Sequence, residues 1–228
     1  MVKVLTFSPR GAPDLGPFEV INVPLLELRP TINKEEVLEA VEWAEAVAFT
    51  SPTGVKFLFE EVPEIKEKLE NKVVYAIGPK TKEELEKFGI RARLPREYHS
   101  ASLAEELSKY SKVVAFRSDK ASKTLKKMLG DKLREVIIYE TVRKPNPEIV
   151  KLIKEVDAVV ISSAEIGRAL LESLKMANED PKILEGKLIV IGPEAAKALH
   201  GIRYELAPEA SFEGVKRKLL ELFKSYNG

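Results

Sequence analysis

There is no cysteine anywhere in the chain. That excludes disulfides, a thiolate nucleophile and a thiolate metal site. Histidine is almost as scarce, with 2 in 228 residues, and no clustered His/Asp/Glu spacing accompanies them. No structural metal is therefore expected. An excess of one charge is missing too: 37 Lys and Arg stand against 36 Asp and Glu, a net +1. Such a balance argues against general nucleic-acid binding. No apolar run approaches membrane-spanning length. Lys3 and Pro9 interrupt the first apolar residues, so no signal-peptide pattern is read there. A soluble cytoplasmic protein is the expectation. What the chain does have is 44% hydrophobic residues, enough to build cores for one large or two small domains.

One stretch organises the rest. Val73 to Ile77 is a short apolar run that Gly78 breaks, and Pro79 suits the first position of a helix. Leu85 and Phe88 follow at helical spacing, and Gly89 suits the helix end. In an open α/β sheet such a turn lies at the carboxyl end of its strand, where ligands bind. The free N–H groups of the helix start, with Lys80 and Thr81 beside them, favour an anion. The same arrangement returns at Leu188 to Ile191, Gly192 and Pro193. Two copies of one turn predict a duplicated fold with a ligand held between the copies.

Read in order, Val2–Phe7 is a strand, and the Pro- and Gly-rich stretch from Ser8 to Pro17 is too broken for a helix. A second strand is expected from about Glu19 to Leu28, an edge or a connecting ribbon because of Pro24. Asn33 and Glu36 predict a helix start, as does Ser51 with Pro52 after the strand Ala46–Phe49. Further strands are expected at Arg91–Leu94, Lys112–Phe116, Glu135–Val142, Asp157–Ile161 and Arg203–Leu206. Further helices are expected from Ser102 with Glu105, near Ala121–Leu129, from Asn146–Pro147, from Ser162–Ser163, and from Ser211 to Tyr226. His99 and His200 read as surface groups without a task.

The chain also repeats. Ala48–Ser51 matches Val160–Ser163, Ile77–Pro79 matches Ile191–Pro193, Gly89–Arg91 matches Gly201–Arg203, and Glu19–Ile21 matches Glu135–Ile137. Each match lies about 112 to 116 residues downstream. Alternating strands and helices imply parallel α/β sheets. Neighbouring repeats can exchange elements, so a repeat need not be a domain.

With these residues the chain resembles the uroporphyrinogen-III synthase family. The similar features are Phe49–Val55, Ile77–Thr81, Val136–Thr141 with its Tyr139-Glu140-Thr141, Ile161–Ser163, Ile191–Pro193 and Pro24–Glu27. The resemblance implies two flavodoxin-like parallel-sheet domains joined by a two-stranded β ladder. Residues 1–30 with 143–228 would form a discontinuous first domain and residues 31–135 the second. The ladder would use about 20–28 and 136–142. It also implies a substrate, the linear tetrapyrrole hydroxymethylbilane with its carboxylates. This is cyclised with inversion of the last pyrrole ring and loss of water, without cofactor or metal. A monomer is expected, with no nucleic-acid or membrane partner. The alternative is a catalytically impaired protein of the same fold that binds a tetrapyrrole or another polyanion.

By the same resemblance Tyr139 is the expected catalytic residue, donating a proton to the departing hydroxide. Thr81 would bind a carboxylate, or else cap its own helix. Thr50, Ser51, Ser162 and Ser163 are N-cap candidates in any reading and ligand contacts by implication. Gly78, Pro79, Lys80, Gly192, Pro193 and Ala195 line the two turns, and Ser118 follows the strand ending at Phe116. Neither Tyr139 nor Thr81 reads as a core-packing position. Three departures stand out. Glu194 and Ala195 occupy a turn where the family commonly has Thr, the family's first helix is missing before Glu19, and its early Arg has only Arg10 as a counterpart.

Overall fold

The computed structural model describes residues 1–224. The chain begins with strands β1 (Lys3–Thr6), β2 (Glu19–Asn22) and β3 (Leu26–Pro30). Next come α1 (Lys34–Trp43), β4 (Ala46–Phe49), α2 (Pro52–Glu61) and the short α3 (Ile65–Leu69). They are followed by β5 (Val73–Ala76), α4 (Pro79–Lys87), α5 (Ser100–Leu107), β6 (Val113–Ser118) and α6 (Thr124–Leu129). After these run β7 (Leu133–Arg143), α7 (Ile149–Glu155), β8 (Ala158–Ile161), α8 (Ala164–Met176) and β9 (Leu188–Val190). The last elements are α9 (Pro193–Ala196), β10 (Glu205–Leu206) and α10 (Phe212–Leu222). No helix among the described residues is long and apolar enough to cross a membrane.

Two compact units result, Met1–Glu27 with Val142–Gly228 and Leu28–Thr141. The first contains a parallel sheet in the order β10-β9-β8-β1-β2. Counted along the chain this is the flavodoxin-like order 2-1-3-4-5 read from the other edge. The second contains the parallel strands β5-β4-β6-β7, with β3 added outside β7. Helices cover both faces of each sheet. The central strands are therefore continuous apolar runs, Ala46–Phe49 and Ala158–Ile161, with every residue buried.

The repeat explains the discontinuity. β4 and β5 occupy the places that β8 and β9 hold in the other sheet, and a bridge from Tyr75 to Arg93 stands where β10 stands. β6 and β7 correspond to β1 and β2. Each unit thus combines the opening strands of one repeat with the closing strands of the other. The correspondence extends to single side chains. Lys72 donates to the carbonyls of Glu42 and Ala44 at the end of α1, and Lys187 does so to Ile153 and Val156 at the end of α7. Both cations satisfy carbonyls that a helix end leaves open.

Several expectations need correction. The single strand from Glu19 to Leu28 is two strands. Glu19–Asn22 pairs with β1, while Leu26–Pro30 turns to β7. Pro24, without an N–H to give, lies in the break. The ladder is therefore β3 on β7, with Lys144 N–H on the Leu25 carbonyl (2.7 Å) and Thr31 N–H on the Ile138 carbonyl (3.0 Å). That register is antiparallel. Arg91–Leu94 forms only the one bridge and no strand. The helix expected to open at Ser102 begins at Ser100, capped by His99, whose Nδ1 accepts from the Ser102 N–H at 3.2 Å. Ser102 Oγ instead accepts from the Glu97 N–H. His99, assigned no task, thus holds a helix start.

The helix near Ala121 runs only over Thr124–Leu129, and the one after Asn146–Pro147 begins at Ile149. The last helix ends at Leu222, and Tyr226 lies outside the described residues. The connection from β1 to β2 is an irregular loop. Leu15 and Phe18 pack from it into the core that includes Val215 and Leu219 of α10.

Candidate functional site

In both units the sequence-predicted residues gather at the carboxyl ends of adjacent strands. In the second unit they are Thr50 and Ser51 after β4, Gly78 to Thr81 after β5, Ser118 at the end of β6 and Tyr139 on β7. Thr50 donates to the Phe116 carbonyl, a long contact of 3.4 Å from the end of β4 to β6. The strand order reverses between these two strands, the place where open α/β sheets bind ligands.

The two kinds of turn differ in what they leave free. Ser51 caps α2, its Oγ accepting from the Gly54 N–H at 3.0 Å. Its counterpart Ser163 caps α8 through the Ile166 N–H at 3.1 Å. These hydroxyls spend an acceptor on their own helix. Gly78 and Gly192 have no side chain to cap α4 and α9. Behind Gly78 the first N–H groups are left for a ligand, whereas behind Gly192 the Ala195 N–H already donates to the Gly192 carbonyl at 3.1 Å. Pro79 and Pro193 occupy first positions where a missing N–H costs nothing.

Tyr139 is buried, contrary to the expectation that it lies outside the core, and its ring meets Phe57 edge-on at 5.8 Å. Its hydroxyl pairs with Ser51 Oγ at 2.9 Å, with either oxygen able to donate. When Ser51 donates, the phenolic proton is free to be given elsewhere. Gly54 makes room for this pair: a Cβ there would sit 3.1 Å from both Ile138 Cδ1 and Ser51 Oγ. Thr81 is likewise buried, on the inner face of α4 with Leu85. Lys80, one residue earlier, is exposed.

In the first unit the turn at Ser162–Ser163 follows β8, and that at Gly192–Pro193 follows β9. Ala195 is buried under its short helix. Glu194 points into solvent, 87% exposed, with Lys197 at 2.6 Å. Its charge is hydrated and paired, so this departure from the family pattern puts no buried carboxylate in the turn.

Two arrangements escaped the sequence reading. Asn22 accepts from Thr6 Oγ1 at 2.7 Å and the Ser8 N–H at 2.9 Å and donates to the Ser8 carbonyl at 3.0 Å. It thereby shapes the loop at the end of β1, beside β8. Asp119, just past Ser118, binds the backbone around Tyr139. Neither has a local pattern, because the partners come from neighbouring strands. Two surface grooves, of about 610 and 470 Å³, lie at the amino ends of the strands instead. One is lined by Asp157, Lys187 and Arg203, the other by Lys72, Arg91 and Arg93. Neither includes a candidate residue.

The family model described as "Uroporphyrinogen-III synthase HemD" matches residues 12–225. A protein from Archaeoglobus fulgidus, provisionally named uroporphyrinogen-III synthase, is 36% identical over 68% of this chain and 70% of its own. One of the same provisional name from Methanocaldococcus jannaschii is 28% identical over 80% of this chain and 79% of its own. Among solved structures, uroporphyrinogen-III synthetase from Helicobacter pylori superposes with a TM-score of 0.69 at 18% identity. The match covers 97% of this chain and all of that one (100%). A mutant uroporphyrinogen III synthase from Thermus thermophilus gives 0.62 at 19% identity, covering 98% of this chain and 100% of that one. On the extent of the family match and the identity to its relatives, this chain belongs to the uroporphyrinogen-III synthase family.

Proposed function

We propose that this protein is an active synthase of its family, closing hydroxymethylbilane to uroporphyrinogen III with inversion of the last pyrrole ring and release of water. The observation that carries the reading is the Tyr139 hydroxyl, held by Ser51 at 2.9 Å on the sheet edge that bears the uncapped Gly78 turn. Tyr139 gives its proton to the departing hydroxide as the C–O bond breaks. For the last ring to be inverted, the freed methylene bonds to the ring carbon that already carries the chain, that carbon's older C–C bond breaks, and the chain rebonds to the ring's other α carbon. The proton released there restores the phenol, so water is the only by-product. A phenolic O–H donates readily to a strongly basic leaving group such as departing hydroxide.

Substrate carboxylates meet the backbone donors behind Gly78, together with Lys80 and Thr81. Fixed cations are few at these turns because backbone donors need no balancing charge, consistent with a net charge of +1. Ser118, Thr50, Ser162 and Ser163 complete the polar edges. The larger share of the rate effect comes from holding a flexible chain in one shape.

The deciding experiment is the isomer composition of product from freshly generated hydroxymethylbilane, with no metal or cofactor added. The type III isomer, formed faster than spontaneous closure, is the expected result. Type I alone at the uncatalysed rate would defeat the catalytic reading and leave a polyanion-binding protein. Thr81→Val tests the turn. The swap keeps the buried volume and removes one hydroxyl. The Michaelis constant should rise about fivefold, roughly 1 kcal/mol, with turnover nearly unchanged. An unaltered Michaelis constant would reduce Thr81 to a packing residue.

A further inference from the structure

We propose that Asp119 is a positioning residue for Tyr139, acting by pinning a bulge in β7; this rests on the reading of Tyr139 as the proton donor. Side chains on a regular strand alternate between its two faces. Along β7, Leu133 and Glu135 share a face with Val113, Ala115 and Arg117 of β6, and Val136 shares the other with Phe116. By alternation Tyr139 belongs on the face of Leu133 and Glu135, away from Ser51. It packs instead in the same core as Val136 and Ile138.

The register shows how. Arg117 lies beside Ile137, but Ser118 lies beside Tyr139, so Ile138 is an extra residue on β7. A bulge of this kind re-aims the side chain that follows it. Here it brings Tyr139 to the face of α2, where Ser51 and Phe57 receive it.

Just past the bulge β6 ends at Ser118, so the backbone groups of β7 beyond that point need other partners. Asp119 supplies two. Its N–H donates to the Tyr139 carbonyl at 3.1 Å, and its carboxylate accepts from the Thr141 N–H at 2.9 Å. The two bonds bracket Glu140 and fix the strand just past the phenol. Asp119 is an exposed carboxylate that makes no ion pair among the described residues. Holding this backbone is what its side chain does.

Asp119→Ala and Asp119→Asn separate the idea from a general effect on folding, since the side chain is exposed and an Asn oxygen still accepts from Thr141. In Asp119→Ala, turnover should fall about three- to tenfold with the Michaelis constant within about twofold. Hydrogen exchange at the Thr141 amide should quicken, and the NMR contact between the Tyr139 and Phe57 rings should weaken. Asp119→Asn should keep the exchange rate, the ring contact and at least about half the turnover. The exchange and ring readouts need no activity. A wild-type protein that makes no type III isomer would thus defeat the functional reading while these still judged the pin. Asp119→Ala with unchanged exchange and ring contact, or with wild-type turnover beside an active parent, overturns the proposal. So does Asp119→Asn as impaired as Asp119→Ala.

Discussion

Tyr139→Phe is expected to lower turnover by roughly tenfold or more, about 1.4 kcal/mol, with little change in the Michaelis constant. The ring stays, so the edge-on contact with Phe57 and the packing against Gly54 survive. Only the oxygen is lost, and with it the bond to Ser51. Ser51 keeps its hold on the Gly54 N–H, so α2 retains its cap. Stability should drop by about 1 kcal/mol, the worth of one neutral hydrogen bond. Steady-state kinetics well below the melting temperature distinguish the two effects. A donor used only as the hydroxide departs affects turnover, whereas a uniform contact would raise the Michaelis constant. Unchanged kinetics would remove Tyr139 from the chemistry and leave the folding of the substrate chain to account for the reaction.

The largest effect on stability is expected at Glu135. Arg117 is 3% exposed and meets Glu135 at 2.7 Å. It also donates to the Ser122 carbonyl at 2.7 Å, while its Nε has no partner. Glu135→Ala strands a buried guanidinium with one carbonyl. A loss of about 3 kcal/mol is expected, the low end for breaking a buried pair, because Glu135 itself is partly open to water. Replacing both, as Arg117→Met with Glu135→Leu, should recover most of that loss, since the desolvation of two charges disappears with them. Urea denaturation of the parent, the single and the double variant, with equal slopes, checks this. A single variant within about 0.5 kcal/mol of the parent would mean that solvent already reaches the pair. The same side chain holds Ser122, so the loop carrying Ser118 and Asp119 should loosen as Glu135 is removed.

Local chemistry made much of the molecule legible. Apolar runs ending on Gly-Pro or Ser-Pro marked strands β4 and β5 and the helices behind them, because φ of proline and the cap of serine act within a few residues. Asn33 and Ser163 behaved likewise. The repeat announced a duplicated α/β architecture. Failures came where a neighbour decided the outcome. Arg91–Leu94 has strand composition, but only Arg93 reaches a partner. Pro24 marks an edge or connecting ribbon, and it stands where the chain leaves one sheet for the other, but no local pattern showed that the stretch splits into two strands.

The sequence by itself determined most of the elements, the duplicated turns and the family, since each of these follows from short-range patterns of size, polarity and backbone freedom. Tertiary structure alone decided which strands of the two repeats share a sheet, and it alone turned Tyr139 toward Ser51. That turn depends on one extra residue in the register of β7 against β6. A side-chain period of two makes a one-residue shift reverse the face, and register is set by cross-strand hydrogen bonds, such as those of Asp119, that no local pattern encodes.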